Sequence, residues 1–202
     1  MAKTNVTSDI IKLKNVRLSF PVIWKPKAFG ENDKEQYQAT FLLDPSNSEH
    51  AKTIKEIKKT AKDILIEAFG EVPPGKKLCF GLADKHPKKR TYDGYPGMFY
   101  IASGNQTKPT LVDRRLNDLE ESDGVLYAGC YVNSNITLWT FDHPKGGQGV
   151  SANLRIIQFF KDGEPFGNAR VKADEEMDVV EIDEDEEIDD WDEDGDDEED
   201  DL

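Results

Sequence analysis

The chain has 202 residues, 41 acidic and 26 basic, for a net charge of −15. No stretch reaches the roughly 18 consecutive apolar residues of a membrane helix, and two cysteines cannot make a disulfide scaffold. The charge is also unevenly placed: Asp174 to Leu202 holds 21 acids and no Lys or Arg, which leaves 26 bases against 20 acids in residues 1–173, a body charge of +6.

The N-terminal MAKTNVTSDIIKLKNV lacks the apolar core of a targeting signal, so a cytoplasmic protein is expected, with no membrane partner. Ile11 to Trp24 then alternates as a strand, with Val16, Leu18, Phe20, Val22 and Trp24 on one parity. Pro21 inside it predicts a bulge, a bend or an edge. Gln36 to Leu43 is a second strand, with Tyr37, Ala39, Phe41 and Leu43 on one face and Gln36, Gln38 and Thr40 on the other. Next comes one helix, whose apolar face is Ile54, Ile57, Ala61, Ile64, Leu65 and Ala68. Ser46 or Ser48 is expected to cap its start and Gly70 to end it.

Further strands are expected at Lys76 to Ala83, Met98 to Ser103 and Val150 to Phe160. Val125 to Phe141 is long enough for two strands, or for one with a break at Asn133 to Asn135. Leu126, Ala128, Cys130, Val132, Ile136 and Leu138 form its aliphatic parity; Tyr127, Tyr131, Trp139 and Phe141 form the other. Five or more antiparallel strands with one helix predict a mainly β fold, an OB-fold-like five-stranded barrel, with an α+β sandwich as the alternative. Two units are expected, a domain over 1–173 and a disordered acidic tail over 174–202 in which repulsion and chain entropy outweigh the little apolar surface.

No catalytic constellation stands out, and an enzyme is not expected. His50, His86 and His143 sit in polar contexts without metal-ligand spacing and read as surface histidines. Cys79 and Cys130 lie in apolar runs and read as free thiols. The glycine-rich HPKGGQG at 143–149 lacks the GK[ST] ending of a phosphate loop and precedes a strand. Asp190, Asp192, Asp194 and Gly195 imitate the start of a calcium loop, but no helices flank them and the remaining positions do not fit. Neither cofactor nor metal is expected.

Binding chemistry is better represented. Lys77, Lys85, Lys88, Lys89 and Arg90 precede or adjoin Tyr92, Tyr95 and Tyr100. Cations neutralise phosphates and aromatic rings stack on bases for roughly 1–3 kcal/mol each, the combination that single-stranded nucleic acid requires. Tyr127, Tyr131 and Trp139 extend the aromatic set, and Lys108, Arg114 and Arg115 on connecting loops extend the basic one.

The segments KLKNVRLSFPVIWKP, YQATFLL, YDGYPGMFYIASG, YAGCYVNSNITLWTF and GVSANLRIIQFFKDGEPFG carry a resemblance. Together they resemble the single-stranded DNA-binding proteins of tailed bacteriophages, in particular a family first catalogued as a phage domain of unknown function. The resemblance implies an OB fold, sequence-independent binding of single-stranded DNA, and work in phage replication, recombination or repair. It also implies an acidic tail that meets phage or host replication and recombination proteins. Such tails often end in an aromatic residue. This chain ends in Leu202 with its tail aromatic at Trp191, so these two residues are the partner-binding candidates. Self-association is left open. The competing readings are an acidic-tailed interaction module, acting as a chaperone or DNA mimic, and a metal-dependent nuclease using Asp113 or Asp118.

Overall fold

Short runs of β-branched and aromatic residues bounded by Gly, Pro and Asn favour extended backbone. In the computed structural model they form eight strands, with one long helix between the second and third, counted among the described residues. The structure describes residues 5–28, 34–144 and 146–167, all within the unit Met1–Ala169. The expected boundary at 173 and the acidic stretch with Trp191 and Leu202 lie outside the described residues.

Strand β1 (Thr7–Lys27) changes its buried face twice along its length. Ile11 and Leu13 enter the core first, then Val16 and Leu18, then Ile23. The switches fall at Asn15 and Phe20, which take left-handed φ values of 51° and 46°. At the first, the register slips against β7 (Tyr131–His143); at the second, it slips against β2 (Gln36–Leu43). One extra residue in a ladder sends every following side chain to the opposite face. The disturbance expected at Pro21 is therefore a bulge, and it corrects the single parity expected from Val16 to Trp24. Phe20 is 56% exposed, and Ile23 occupies the core position.

Helix α1 (Ser48–Phe69) starts on Asn47, between the two serines expected to cap it. Its side-chain oxygen accepts the N–H groups of Glu49 at 2.9 Å and His50 at 3.2 Å, while the Ser46 hydroxyl donates to Asp44 at 2.7 Å. Gly70 ends the helix in the left-handed conformation, donating its N–H to the Ile66 carbonyl at 2.8 Å. The expected apolar face is buried against β1, β2 and β7. His50 joins it, which corrects its reading as a surface residue. Its Nδ1 accepts the Asp44 N–H at 3.0 Å, so Nε2 carries the proton and donates to the Lys14 carbonyl at 3.1 Å.

Strand β5 (Phe99–Asn105) pairs antiparallel with β2, β7 pairs with β1, and β8 (Gly147–Lys161) pairs with β7. A parallel bridge from Gly104 to Asn153 joins β5 to β8 and closes the order β1-β2-β5-β8-β7 into a barrel, which removes its open edges. Three short strands decorate it: β3 (Lys77–Leu78) and β6 (Thr110–Val112) run parallel to β8, and β4 (Phe80–Leu82) pairs with β5. This barrel, and not the sandwich, is the fold.

The alternation expected in β7 holds: Val132, Ile136 and Leu138 are buried, while Tyr131, Trp139 and Phe141 are half-buried. The register slips between Asn135 and Ile136 without ending the strand. The strand begins only at Tyr131; just before it, Gly129 at φ 110° lies against the Glu164 and Pro165 backbone, where a Cβ has no room. Both cysteines are free. Burial raises the Cys79 thiol to about 12 and the Cys130 thiol to about 11.

Candidate nucleic-acid interface

Residues 83–98 fold back over the barrel through two short 3-10 turns, Ala83–Lys85 and Lys89–Thr91. Tyr95 is 0% exposed, packs with Leu42, Ala83 and Tyr100, and donates its hydroxyl to Ser19 at 3.1 Å. Burial pushes the phenols of Tyr95 and Tyr100 above their ordinary range. This corrects the reading of these two residues as stacking platforms, since buried rings offer no face to a base. Lys89 is likewise drawn in, its ammonium 4.6 Å from the Tyr100 ring centroid, and desolvation lowers its pKa. Lys85, Lys88 and Arg90 remain exposed.

On this buried foundation stands an open aromatic cleft of about 330 Å³, lined by Ser19, Phe20, Thr91, Tyr92, Asp93, Ala128, Phe166 and Gly167. Phe20 meets Tyr92 edge to face at 5.3 Å. Gly94 lies against the Phe166 ring, so no Cβ fits there. The Arg17 guanidinium sits 4.2 Å from the Phe166 centroid and 5.4 Å from that of Tyr131, whose ring also has the Lys161 ammonium at 4.6 Å. Arg17 is fixed by donating to the carbonyls of Gly129, at 3.1 Å, and Glu164. The cleft can take a flat ring, with cations beside it for phosphate.

A second groove, about 290 Å³, is lined with amides and hydroxyls: Gln36, Gln38, Thr40, Asn105, Gln106, Ser151 and Asn153, with Trp139 among them. The Trp139 indole N–H is buried and has no hydrogen-bond partner among the described residues. Ser19 of the cleft and Thr40 of this groove are directly paired across β1 and β2, so the two sites adjoin on one face. That face includes the outer side of β2 and β5, the second and third strands of the closed barrel.

Of the predicted site residues, Tyr92 lines the cleft and Trp139 the groove, with Tyr131 beside the cleft. Tyr127 is a tether instead: its hydroxyl accepts the Gly163 N–H at 3.1 Å and reaches the Gly163 carbonyl at 2.9 Å, and burial raises its pKa. Lys108 stands over Trp24 at 5.8 Å and Arg114 near Phe159 at 6.0 Å; they, Lys77 and Arg115 line neither site. Asp113 is occupied locally, accepting N–H groups from Arg115 and Asn117, and the Asn117 hydrogen bonds hold its carboxyl below the usual range. Among the described residues no three His, Cys, Asp or Glu side chains converge as metal ligands, and no helix is long and apolar enough to cross a membrane.

Sequence reasoning missed Phe20, Arg17 and Phe166, together with the amides of β2 and β5. Phe20 could have been suspected from Pro21, which marked the bulge. The shared parity of Gln36, Gln38 and Thr40 is visible in the sequence, but polarity alone assigns that face no binding role.

A closed five-stranded barrel of this strand order with one helix defines an OB-fold protein. The chain belongs to the family described as "Enterobacter phage Enc34, ssDNA-binding protein", which matches residues 9–189. It is 37% identical over 176 residues to "Putative protein p50" of Acyrthosiphon pisum secondary endosymbiont phage 1, covering 83% of this chain and 92% of that one. The single-stranded DNA-binding protein of bacteriophage Enc34, solved in complex with ssDNA, is similar at 25% identity and a TM-score of 0.67, over 83% of this chain and 96% of that chain. The single-stranded DNA-binding protein gp2.5 of bacteriophage T7 shares the fold at 14% identity and a TM-score of 0.51, over 90% of this chain and 98% of that chain.

Proposed function

We propose that this protein binds single-stranded DNA without reading its sequence, as a non-catalytic factor in the replication, recombination or repair of a phage genome. The observation that carries this reading is the exposed Phe20–Tyr92–Phe166 cleft beside the Trp139 groove. Bases stack in the cleft, while Arg17, Lys88, Arg90 and Lys161 meet the phosphates. In the groove, the side-chain amides and hydroxyls accommodate sugar and base edges through hydrogen bonds that water otherwise supplies. The family relationship and the solved relative with ssDNA support the choice of ligand.

The acidic segment 174–202 competes with DNA for the same cations and, once displaced, recruits partner proteins through Trp191 or Leu202. Tethering gives it an effective concentration of order millimolar, enough for weak charge pairing to compete. The test is a titration of the full chain and of the chain lacking 174–202 against single- and double-stranded oligonucleotides at two salt concentrations. Preference for single strands is expected, with tighter and more salt-dependent binding after truncation. No binding to single strands by either form would sink the DNA reading, and unchanged or weaker affinity on truncation at low salt would sink the competition.

A further inference from the structure

A third cavity, about 480 Å³, lies between α1 and the segment carrying β3 and β4. It shares no lining residue with the cleft or with the Trp139 groove. Side chains alternate along extended backbone, so Cys79 lines the Trp139 groove while its neighbours Leu78 and Phe80 line this cavity. The floor is aliphatic at Leu65, Val72 and Leu78, the last of them 37% exposed. Two rings reach it, but Phe80 and Phe99 are 7% and 0% exposed and offer no face to a base. The rim is cationic. Lys58 and Lys62 stand one turn apart on α1, Lys76 and Lys85 flank β3 and β4, and all four are exposed. No carboxylate among the described residues lines the cavity. An apolar floor without a stacking surface, inside a purely cationic rim, suits an acidic aliphatic peptide better than a strand of nucleic acid.

Strand β4 adds a second, independent feature. It pairs with β5 along one edge and, among the described residues, with no strand along the other. Ala102 donates its N–H to the Cys79 carbonyl at 2.8 Å and Ala83 donates to the Met98 carbonyl at 2.9 Å, which turns the odd-numbered residues toward β5. By the alternation of an antiparallel ladder, the N–H groups of Phe80 and Leu82 point the other way. An unpaired strand edge beside an apolar groove is where an extended peptide adds as a further strand. Its backbone supplies hydrogen bonds, and its alternate side chains fill the groove.

We propose that this groove and the free edge of β4 bind an acidic, aliphatic segment of a partner protein in extended form. The aliphatic side chains of that segment cover Leu78 and Val72, and its carboxylates meet the four lysines. Rim charge selects the partner, because a basic peptide of the same shape is repelled. Apolar burial supplies part of the hold, so raised salt weakens it less than charge pairing alone would predict. With no residue in common with the cleft, the site holds a partner while the DNA-binding surface stays open.

The test titrates the full-length chain, without DNA, against a short fluorescein-labelled peptide in which Ile and Glu alternate. Anisotropy reads binding, and hydrogen exchange follows the Phe80 and Leu82 amides. Saturable binding that slows exchange at both amides is expected. Affinity should fall about tenfold, near 1.4 kcal/mol, in Lys62→Glu/Lys76→Glu, and by a similar factor when Ser replaces Ile in the peptide or its alternate backbone nitrogens are methylated. Oligo(dT) added afterwards should leave the peptide bound. Displacement by oligo(dT) would assign the groove to the DNA path, and equal binding of a peptide with Lys in place of Glu would deny the rim its selecting role. Absence of binding, or binding without slowed exchange at Phe80 and Leu82, would remove the site. Each of these four results overturns the proposal. The first titration contains no DNA, so its failure is independent of the DNA-binding reading.

Discussion

Tyr95 and Phe20 are neighbours, with ring centroids 6.2 Å apart, yet one is wholly buried and the other more than half exposed. Tyr95 has its hydroxyl on Ser19 and its ring among Leu42, Ala83 and Tyr100. Phe20 is turned outward by a left-handed backbone that a β-branched or bulky residue rarely adopts. Aromatic residues in one patch thus divide into those that hold residues 83–98 over the barrel and those, such as Phe20 on the β1 bulge, that stay open to solvent. A buried layer of this kind lets exposed rings keep their orientation, which lowers the entropy lost when a base stacks on them.

The division can be broken most visibly through stability. Tyr95→Ala should cost about 3–5 kcal/mol in urea unfolding, as large-to-small changes in buried aromatics do, whereas Phe20→Ala should change stability by no more than about 1 kcal/mol. Equal losses would erase the distinction. The exposed cations give the next effect. Lys88→Gln and Arg90→Gln should each lower the slope of log affinity against log salt by about 1, because each phosphate contact releases counterions. An unchanged slope would remove that residue from the phosphate path.

A smaller effect sharpens the buried side. Tyr95→Phe removes one buried hydrogen bond and should cost about 1 kcal/mol. It should also flatten the alkaline limb of stability. The folded-state pKa of Tyr95 is raised, first by burial, so its contribution is complete below the ordinary phenol pKa near 10 and is lost as pH rises through the folded value. An identical alkaline limb in Tyr95→Phe would show that this phenol is not what unfolds the protein at high pH.

Much of this was legible in residue order. The helix announced itself through Ile54, Ile57, Ala61, Ile64, Leu65 and Ala68 and through Gly70, since a long 3.6-residue period and a left-handed stop are local properties. The parity of β7 was equally plain, and Trp139 followed from it. What could not be read was set by neighbours distant in sequence. Asn15 donates its N–H to Asn133 at 2.9 Å, and that pairing helps to hold the first flip of β1. The fate of Tyr95 depended on residues 83–98 folding back to meet Ser19, 76 positions away. Composition marked that segment as basic and aromatic without saying which rings would be covered. The choice of Asn47 over two adjacent serines lay within the uncertainty of any cap.

The proposed function turns on whether the Phe20 cleft stacks bases of single-stranded DNA. Its most direct test is the affinity of Phe20→Ala for a labelled oligo(dT), measured beside the wild-type protein at one fixed salt concentration. Loss of one stacking contact worth about 1–3 kcal/mol predicts binding weaker by roughly 5- to 150-fold. Unaltered affinity in a folded Phe20→Ala protein would contradict it.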